Sequence, residues 1–202
     1  MSQRRPVRLV ALVLSLLFAS GCGVKTAGLD VRYPEVGVNR SLLASAPPRR
    51  VEILPVADRR ADTKRIGIRA GGDIVTSRPV TDIVGEALVL EVKKNGHTVA
   101  AERRDVVLAG AVEEFRLDVI GGYSSTQYVG RVVLAVTLAD PHSGETLLLR
   151  RYVGISRRVV EKDSDNGWRD VMDVALARTM HDFATDPELA SAMSRLLTAF
   201  NP

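Results

Sequence analysis

Few side chains in this sequence could carry chemistry. Among 202 residues there is one cysteine, Cys22, and three histidines, His97, His142 and His181. A lone cysteine excludes an intramolecular disulfide framework, a four-thiolate zinc site and a CxxC redox pair. The histidines are far apart, and neither an HExxH pattern nor any other metal-ligand spacing is present. Asp58 and Asp62 flank Arg59-Arg60 and Lys64-Arg65. Paired carboxylates can serve as acid and base, but mixed charge in a loop is the ordinary look of a solvated surface. The stretch Glu161-Lys162-Asp163-Ser164-Asp165 has part of the acidic spacing of a calcium loop. Gly167 comes one place early for it and no glutamate closes it, so a turn ahead of a capped helix is expected. Ser124-Ser125 lacks a GxSxG elbow, and the Gly-Gly pairs lack the lysine and hydroxyl residue of a phosphate loop. The residues point to no catalytic constellation. The expectation is a non-enzyme without metal or cofactor.

Cys22 gains its meaning from what precedes it. Arg4, Arg5 and Arg8 give a basic start, Leu9 to Ala19 is almost unbroken apolar sequence, and Ala19-Ser20-Gly21 supplies small residues before the cysteine. That order is a secretory signal peptide. Its apolar core is shorter than the roughly 20 residues a membrane-spanning helix needs. The strongly apolar core favours the general secretory route over the twin-arginine one that Arg4-Arg5 brings to mind. Ala19-Ser20-Gly21-Cys22 resembles the lipobox of bacterial lipoproteins, with Ala19 in place of the usual leucine. The resemblance implies cleavage before Cys22 and acylation of that residue. Several acyl chains would anchor stably where one binds only marginally. Gly23, where an inner-membrane retention signal carries aspartate, implies the outer membrane, facing the periplasm.

Charge and composition agree with export. The whole chain carries a net charge of +4, but residues 1–21 hold three arginines, so the remainder has 25 basic against 24 acidic residues. The basic balance belongs largely to the discarded signal, which removes the case for nucleic acid. The expected organisation is a signal peptide over 1–21, a flexible tether over 22–49 and one periplasmic domain over 50–202. Aromatics are sparse, so the core should be built from Val, Leu, Ile and Ala.

The elements follow from periodicity and turn residues. Within the tether, Leu29, Val31 and Tyr33 alternate like an added edge strand. Val51 to Val56 should form a strand, interrupted at Pro55. A hairpin is expected around Ile66–Ile68 and Ile74–Thr76, turning at Ala70-Gly71-Gly72-Asp73. Pro79 to Asn95 is the clearest helix, with Ser77 available as cap, Ile83, Val84, Leu88 and Leu90 on its apolar face, Glu86, Lys93 and Lys94 in water, and Gly96 as stop. Three long strands follow, Val106 to Ile120, Tyr128 to Ala139 and Leu147 to Val159. Their inward residues are read as Phe115, Leu117 and Val119, then Val132, Leu134, Val136 and Leu138, then Leu147, Leu149, Val153 and Ile155. Glu114, Arg116, Asp118, Arg150 and Arg158 are read as outward. Short connections make these strands an antiparallel meander. Trp168, Met172, Ala175, Thr179 and Phe183 recur at helical spacing. Asp186-Pro187 restarts a last helix with Leu189, Met193, Leu196 and Leu197 on its apolar side. The predicted class is α+β: an antiparallel or mixed sheet with a three-strand meander and helices packed on one face.

Together the lipobox, the strand VEILPVADRRAD and the helix PVTDIVGEALVLEVKKNGHTV are similar to the YajG-type periplasmic lipoproteins. In that family an Asp-Arg-Arg stretch follows the first strand, and a helix ends in Gly plus an aromatic or polar residue. Asp58-Arg59-Arg60 and Asn95-Gly96-His97 hold those places here, and the likeness covers most of residues 50–184. It implies a binding or structural role without catalytic residues. The functional expectation is a lipid-anchored envelope lipoprotein, attached to the membrane through N-terminal acyl chains and binding an envelope protein, for example by strand addition to an exposed edge of the meander. The alternative is an auxiliary lipoprotein of a lipid-transport or envelope-assembly machine that carries a hydrophobic ligand in a groove between sheet and helices.

Overall fold

The computed structural model describes residues 26–33, 41–161 and 164–195. Cys22 and the lipobox residues Ala19, Ser20 and Gly21 lie outside the described residues, as do Lys162, Asp163, Leu196 and Leu197. Nine strands are described: β1 Ala27–Leu29, β2 Arg50–Ile53, β3 Ala57–Asp58, β4 Gly67–Arg69, β5 Gly72–Thr76, β6 Thr98–Val99, β7 Val106–Gly121, β8 Thr126–Ala139 and β9 Thr146–Val160. With them are three α-helices, α1 Val80–Lys94, α2 Asp165–Ala184 and α3 Pro187–Arg195, and a 3-10 turn at Leu43–Ser45.

The class is α+β, with a mixed main sheet. Its strands run β6-β2-β7-β8-β9, with β3 beside β7. β2 pairs parallel with β6 and β7, while β7, β8 and β9 form the antiparallel meander. Pro55 has no N–H to give to a ladder, so the first strand is cut in two there, into β2 and β3. A second sheet of three strands, β1-β5-β4, contains the expected hairpin with Gly71 at positive φ in its turn. Part of the stretch assigned to a tether belongs to this body: β1 pairs parallel with β5, and Leu29 and Val31 are buried.

Helix α1 ends as its sequence predicts. Gly96 takes φ +85°, a conformation costly for any residue with a Cβ, and the chain turns into β6. Its start differs from the prediction. Pro79 is the N-cap residue, with no side-chain cap, and the Ser77 N–H instead donates to the Leu29 carbonyl at 2.9 Å. Leu90 lies at the helix flank, 38% exposed, and Glu91 takes a buried place. The last helix starts as read: Asp186 Oδ1 accepts the Glu188 N–H at 2.8 Å, and Pro187 is its first residue.

The expected inner faces hold for β7 and β8, although Val119 is only partly buried, and fail for β9. There Leu148, Tyr152, Gly154 and Ser156 face the helices, while Leu149 is 67% and Val153 37% exposed. The reason is the closeness of α2. A Cβ at Gly154 would overlap the Ala175 carbonyl oxygen and the Thr179 hydroxyl, so β9 must carry a glycine where α2 crosses it. The same one-residue shift places Arg150 and Arg158 on the helix side, where Arg158 pairs with Asp170 and Arg150 with Glu188. Trp168 meets Tyr128 edge-on at 6.4 Å, Tyr152 meets Phe183 at 5.5 Å, and the Arg69 guanidinium lies 5.3 Å above the Trp168 ring.

Candidate functional site

The most elaborated polar arrangement among the described residues lies where the N-terminal segment meets the domain. The Arg32 N–H donates to Asp173 of α2 at 2.9 Å, and burial pushes the Asp173 carboxyl above the usual carboxylate range. One residue on, the Tyr33 hydroxyl donates to Glu91 Oε2. Glu91 is fully buried in α1, and its other oxygen accepts from Asn95 Nδ2 at 3.0 Å. The Ser41 hydroxyl in turn donates to Asn95 Oδ1. Tyr33 and Ser41, on either side of residues 34–40, thus reach positions one helical turn apart. Burial and the Glu91 carboxylate together raise the Tyr33 phenol well above its ordinary range, so it remains a donor. Sequence reading missed Glu91. The available signal was its position on the buried stripe, three residues after Leu88 and four after Ala87. Tyr33→Phe should remove the donor while leaving the ring packed, which takes one hydrogen bond from the buried Glu91 carboxylate and costs about 1–3 kcal/mol, measured by urea unfolding.

His97 holds the next stretch. Its Nδ1 accepts the Arg49 N–H at 3.2 Å, which leaves the proton on Nε2 to face the Leu43 carbonyl at 3.2 Å. Burial lowers its pKa below the ordinary 6.5, only partly offset by the Leu43 carbonyl. The folded state therefore prefers neutral imidazole. The stability this contributes is complete above pH 6.5 and is lost as the pH falls from there toward the depressed folded value, at no more than about 1.4 kcal/mol per pH unit. Unfolding titrations of the parent and His97→Gln proteins between about pH 8 and pH 5 should diverge in that window alone. Beside it, the buried Arg49 guanidinium donates to the Met193 carbonyl at 3.0 Å and the Ser194 carbonyl at 3.4 Å, capping the C-terminal end of α3.

The sequence candidates for chemistry are not brought together. His142 sits in the β8–β9 turn, where its N–H donates to Asp140, and His181 is exposed on α2. Among the described residues no group of three or more His, Cys, Asp or Glu could hold a metal ion. The two carboxylates of the charged loop are committed elsewhere. The Arg60 guanidinium grips both oxygens of Asp58, at 2.9 and 2.7 Å, and Asp62 accepts from the Lys64 N–H and from Arg65. Arg60 holds Asp58 below the usual carboxylate range, and the Lys64 N–H with Arg65 does the same for Asp62. Ser164, within the acidic stretch, caps α2 by accepting the Gly167 N–H at 3.3 Å.

Two grooves remain as binding candidates. One, of about 930 Å³, lies between the charged loop and the outer edge of β7, with Arg59, Arg65, Ile68, Glu114, Arg116 and Ile120 on its walls. The other, of about 740 Å³, runs between α1 and the β2–β3 link and is lined by Ile53, Leu54, Val56, Val89, Leu90 and Val99, with Asp82 and Glu86 at its rim.

No family model matches the sequence, and no curated protein matches it either. Solved structures do. Protein XCC0632 from Xanthomonas campestris, of the DUF330 family, superposes with a TM-score of 0.54 at 15% identity, over 83% of this chain and 95% of that one. A Helicobacter pylori homolog of a neuraminyllactose-binding hemagglutinin gives 0.46 at 12% identity, over 85% and 99%. A Caulobacter crescentus protein described as a lipoprotein gives 0.39 at 14% identity, over 80% and 96%. The first of these likenesses shows a shared fold.

Proposed function

We propose that this chain is an envelope lipoprotein of the YajG type, exported, cut before Cys22, held by acyl chains on that residue, and carrying a non-catalytic binding domain on the periplasmic face of the outer membrane. The observation that supports the reading is positional. The chain's one cysteine stands at the exit of a secretory signal, and the first strand of the domain begins at Ala27, shortly after it. Gly23 supports the outer rather than the inner membrane. Mass spectrometry of the mature N-terminus tests it: a peptide beginning at Cys22 with acyl chains is expected. An uncut start, or an unmodified thiol, would refute the proposal.

The binding role rests on the sheet edge. β9 ends the main sheet, and its outer edge has no strand partner among the described residues. Arginines punctuate it, with Arg150, Arg151 and Arg158 in ion pairs to Glu188, Glu113 and Asp170 and Arg157 beside them, which discourages indiscriminate strand pairing. The apolar groove beside α1 supports the second reading, carriage of a hydrophobic ligand. Native mass spectrometry of the purified protein should then reveal a co-purifying lipid that Leu90→Lys releases. A ligand-free parent would remove this reading.

A further inference from the structure

We infer that one end of the domain is built to lie in the surface of the bilayer that carries the anchor. This rests on the proposed acylation of Cys22. The five peptide links from Cys22 to Ala27 can span at most about 18 Å, so wherever β1 starts, the membrane is close.

Strand pairing fixes which end that is. Ala27 pairs with Ile74, just after the β4–β5 turn at Ala70-Gly71. Arg69 at that turn lies over Trp168, in the first turns of α2, and Trp168 packs on Tyr128. Tyr128 pairs with Val119 of β7, close to the β7–β8 turn that carries Tyr123. The chain's entry point, the β4–β5 turn, the β7–β8 turn and the end of β9 therefore share one end of the molecule.

That end exposes a group of apolar side chains. Ile120 pairs with Gln127, and Gln127 with Val159, so the two aliphatic side chains lie in one cross-strand row. They are 52% and 64% exposed, Ile68 across the groove is 56% exposed, and Tyr123 at the tip is fully exposed. Further from the tip comes Arg157, in the row of Val129 and Asp118. Aliphatic and tyrosine side chains at the tip with arginine behind them match the layering of a bilayer, with acyl boundary first and anionic headgroups next. A soluble domain with a long tether would have no reason to present such a tip beside its tether's entry point.

Tryptophan fluorescence tests the geometry. The full-length acylated protein carrying Tyr123→Trp is compared with one carrying Leu149→Trp, an exposed site near the other end of β9, each after subtraction of the parent's Trp168 signal. Both are reconstituted into phosphatidylglycerol vesicles containing brominated phosphatidylcholine. Emission from the indole of the Tyr123→Trp protein should shift to the blue and be roughly halved by the brominated lipid, while that of the Leu149→Trp protein stays unaffected. Vesicle flotation with neither site quenched would overturn the inference and leave the anchor reading standing. A blue shift in the Tyr123→Trp protein that depends on protein concentration, without quenching, would mean that a second copy covers the tip, and would also overturn it. Protein that neither floats nor carries acyl mass would remove both.

Discussion

Gly154→Val should be the most damaging single substitution in the domain, costing about 3 kcal/mol or more and leaving little folded protein. The argument is steric. Helix α2 crosses β8 and β9 so closely that even a Cβ at Gly154 meets the Ala175 carbonyl oxygen and the Thr179 hydroxyl, and the Thr179 amide stands 2.7 Å away. These are backbone atoms or a hydroxyl already bonded to the Ala175 carbonyl at 3.1 Å, so none can swing aside. To accept a valine, α2 would have to lift. Lifting it opens the contacts of Trp168, Met172, Leu176 and Met180, all fully buried. Gly154→Ala should show the same loss in smaller degree, whereas Leu149→Ala on the exposed face should change stability by less than about 0.5 kcal/mol. Urea unfolding of the three variants distinguishes this account from a general intolerance of β9.

The second large effect is on location. Cys22→Ala should move the protein from the membrane fraction to the soluble periplasm almost completely, and abolish incorporation of labelled palmitate. Each buried methylene of an acyl chain contributes about 0.8 kcal/mol, so a single chain gives only reversible attachment while two or three hold the protein for long periods. Among the described residues no helix is long and apolar enough to cross a membrane, so no helical span among them offers a second attachment. The apolar tip around Tyr123 is too small to replace the lipid. It should leave at most weak vesicle binding in the Cys22→Ala protein. A variant that stays in the membrane fraction would contradict the anchor.

The two cases differ in how far the sequence alone reaches them. The proposed anchor at Cys22 is read from a linear order of charge, apolar run and small residues, with no need of folding. The elements of the domain were legible for a similar reason. The turn residues at Gly71, Gly96 and Asp140 to Gly144 and the alternation in β7 and β8 are local. What failed was non-local. In β9 the aliphatics Leu149, Val153 and Ile155 point away from the helices, because α2 comes so close at Gly154 that only a residue without a Cβ fits there, which sets Leu148 and Tyr152 on the inner face instead. In β7 Phe115 and Leu117 face inward as their alternation predicts, but the bulge between Val112 and Glu114, which moves the inner face there from the Leu108 and Val112 alternation, shows only in the pairing with β8. Glu91 reads as one more solvent-facing acid until Tyr33, distant in sequence, is seen to arrive against it. The N-terminal polar arrangement could not be read from residues 22–49 alone, since its partners sit on α1 and α2.

The pairing of β1 with β5 has a mechanical meaning. Tension from a lipid moving in its bilayer would enter at Ala27 and pull along β1, parallel to the ladder it forms with β5. Such a pull loads the ladder's hydrogen bonds in shear, all at once, where a pull across the strand would unzip them one by one. The grip of Arg32 on Asp173 and of Tyr33 on Glu91 lies directly behind, so slippage of the strand would have to break these as well. The fold is arranged so that the anchor drags the whole domain before it can strip the first strand away.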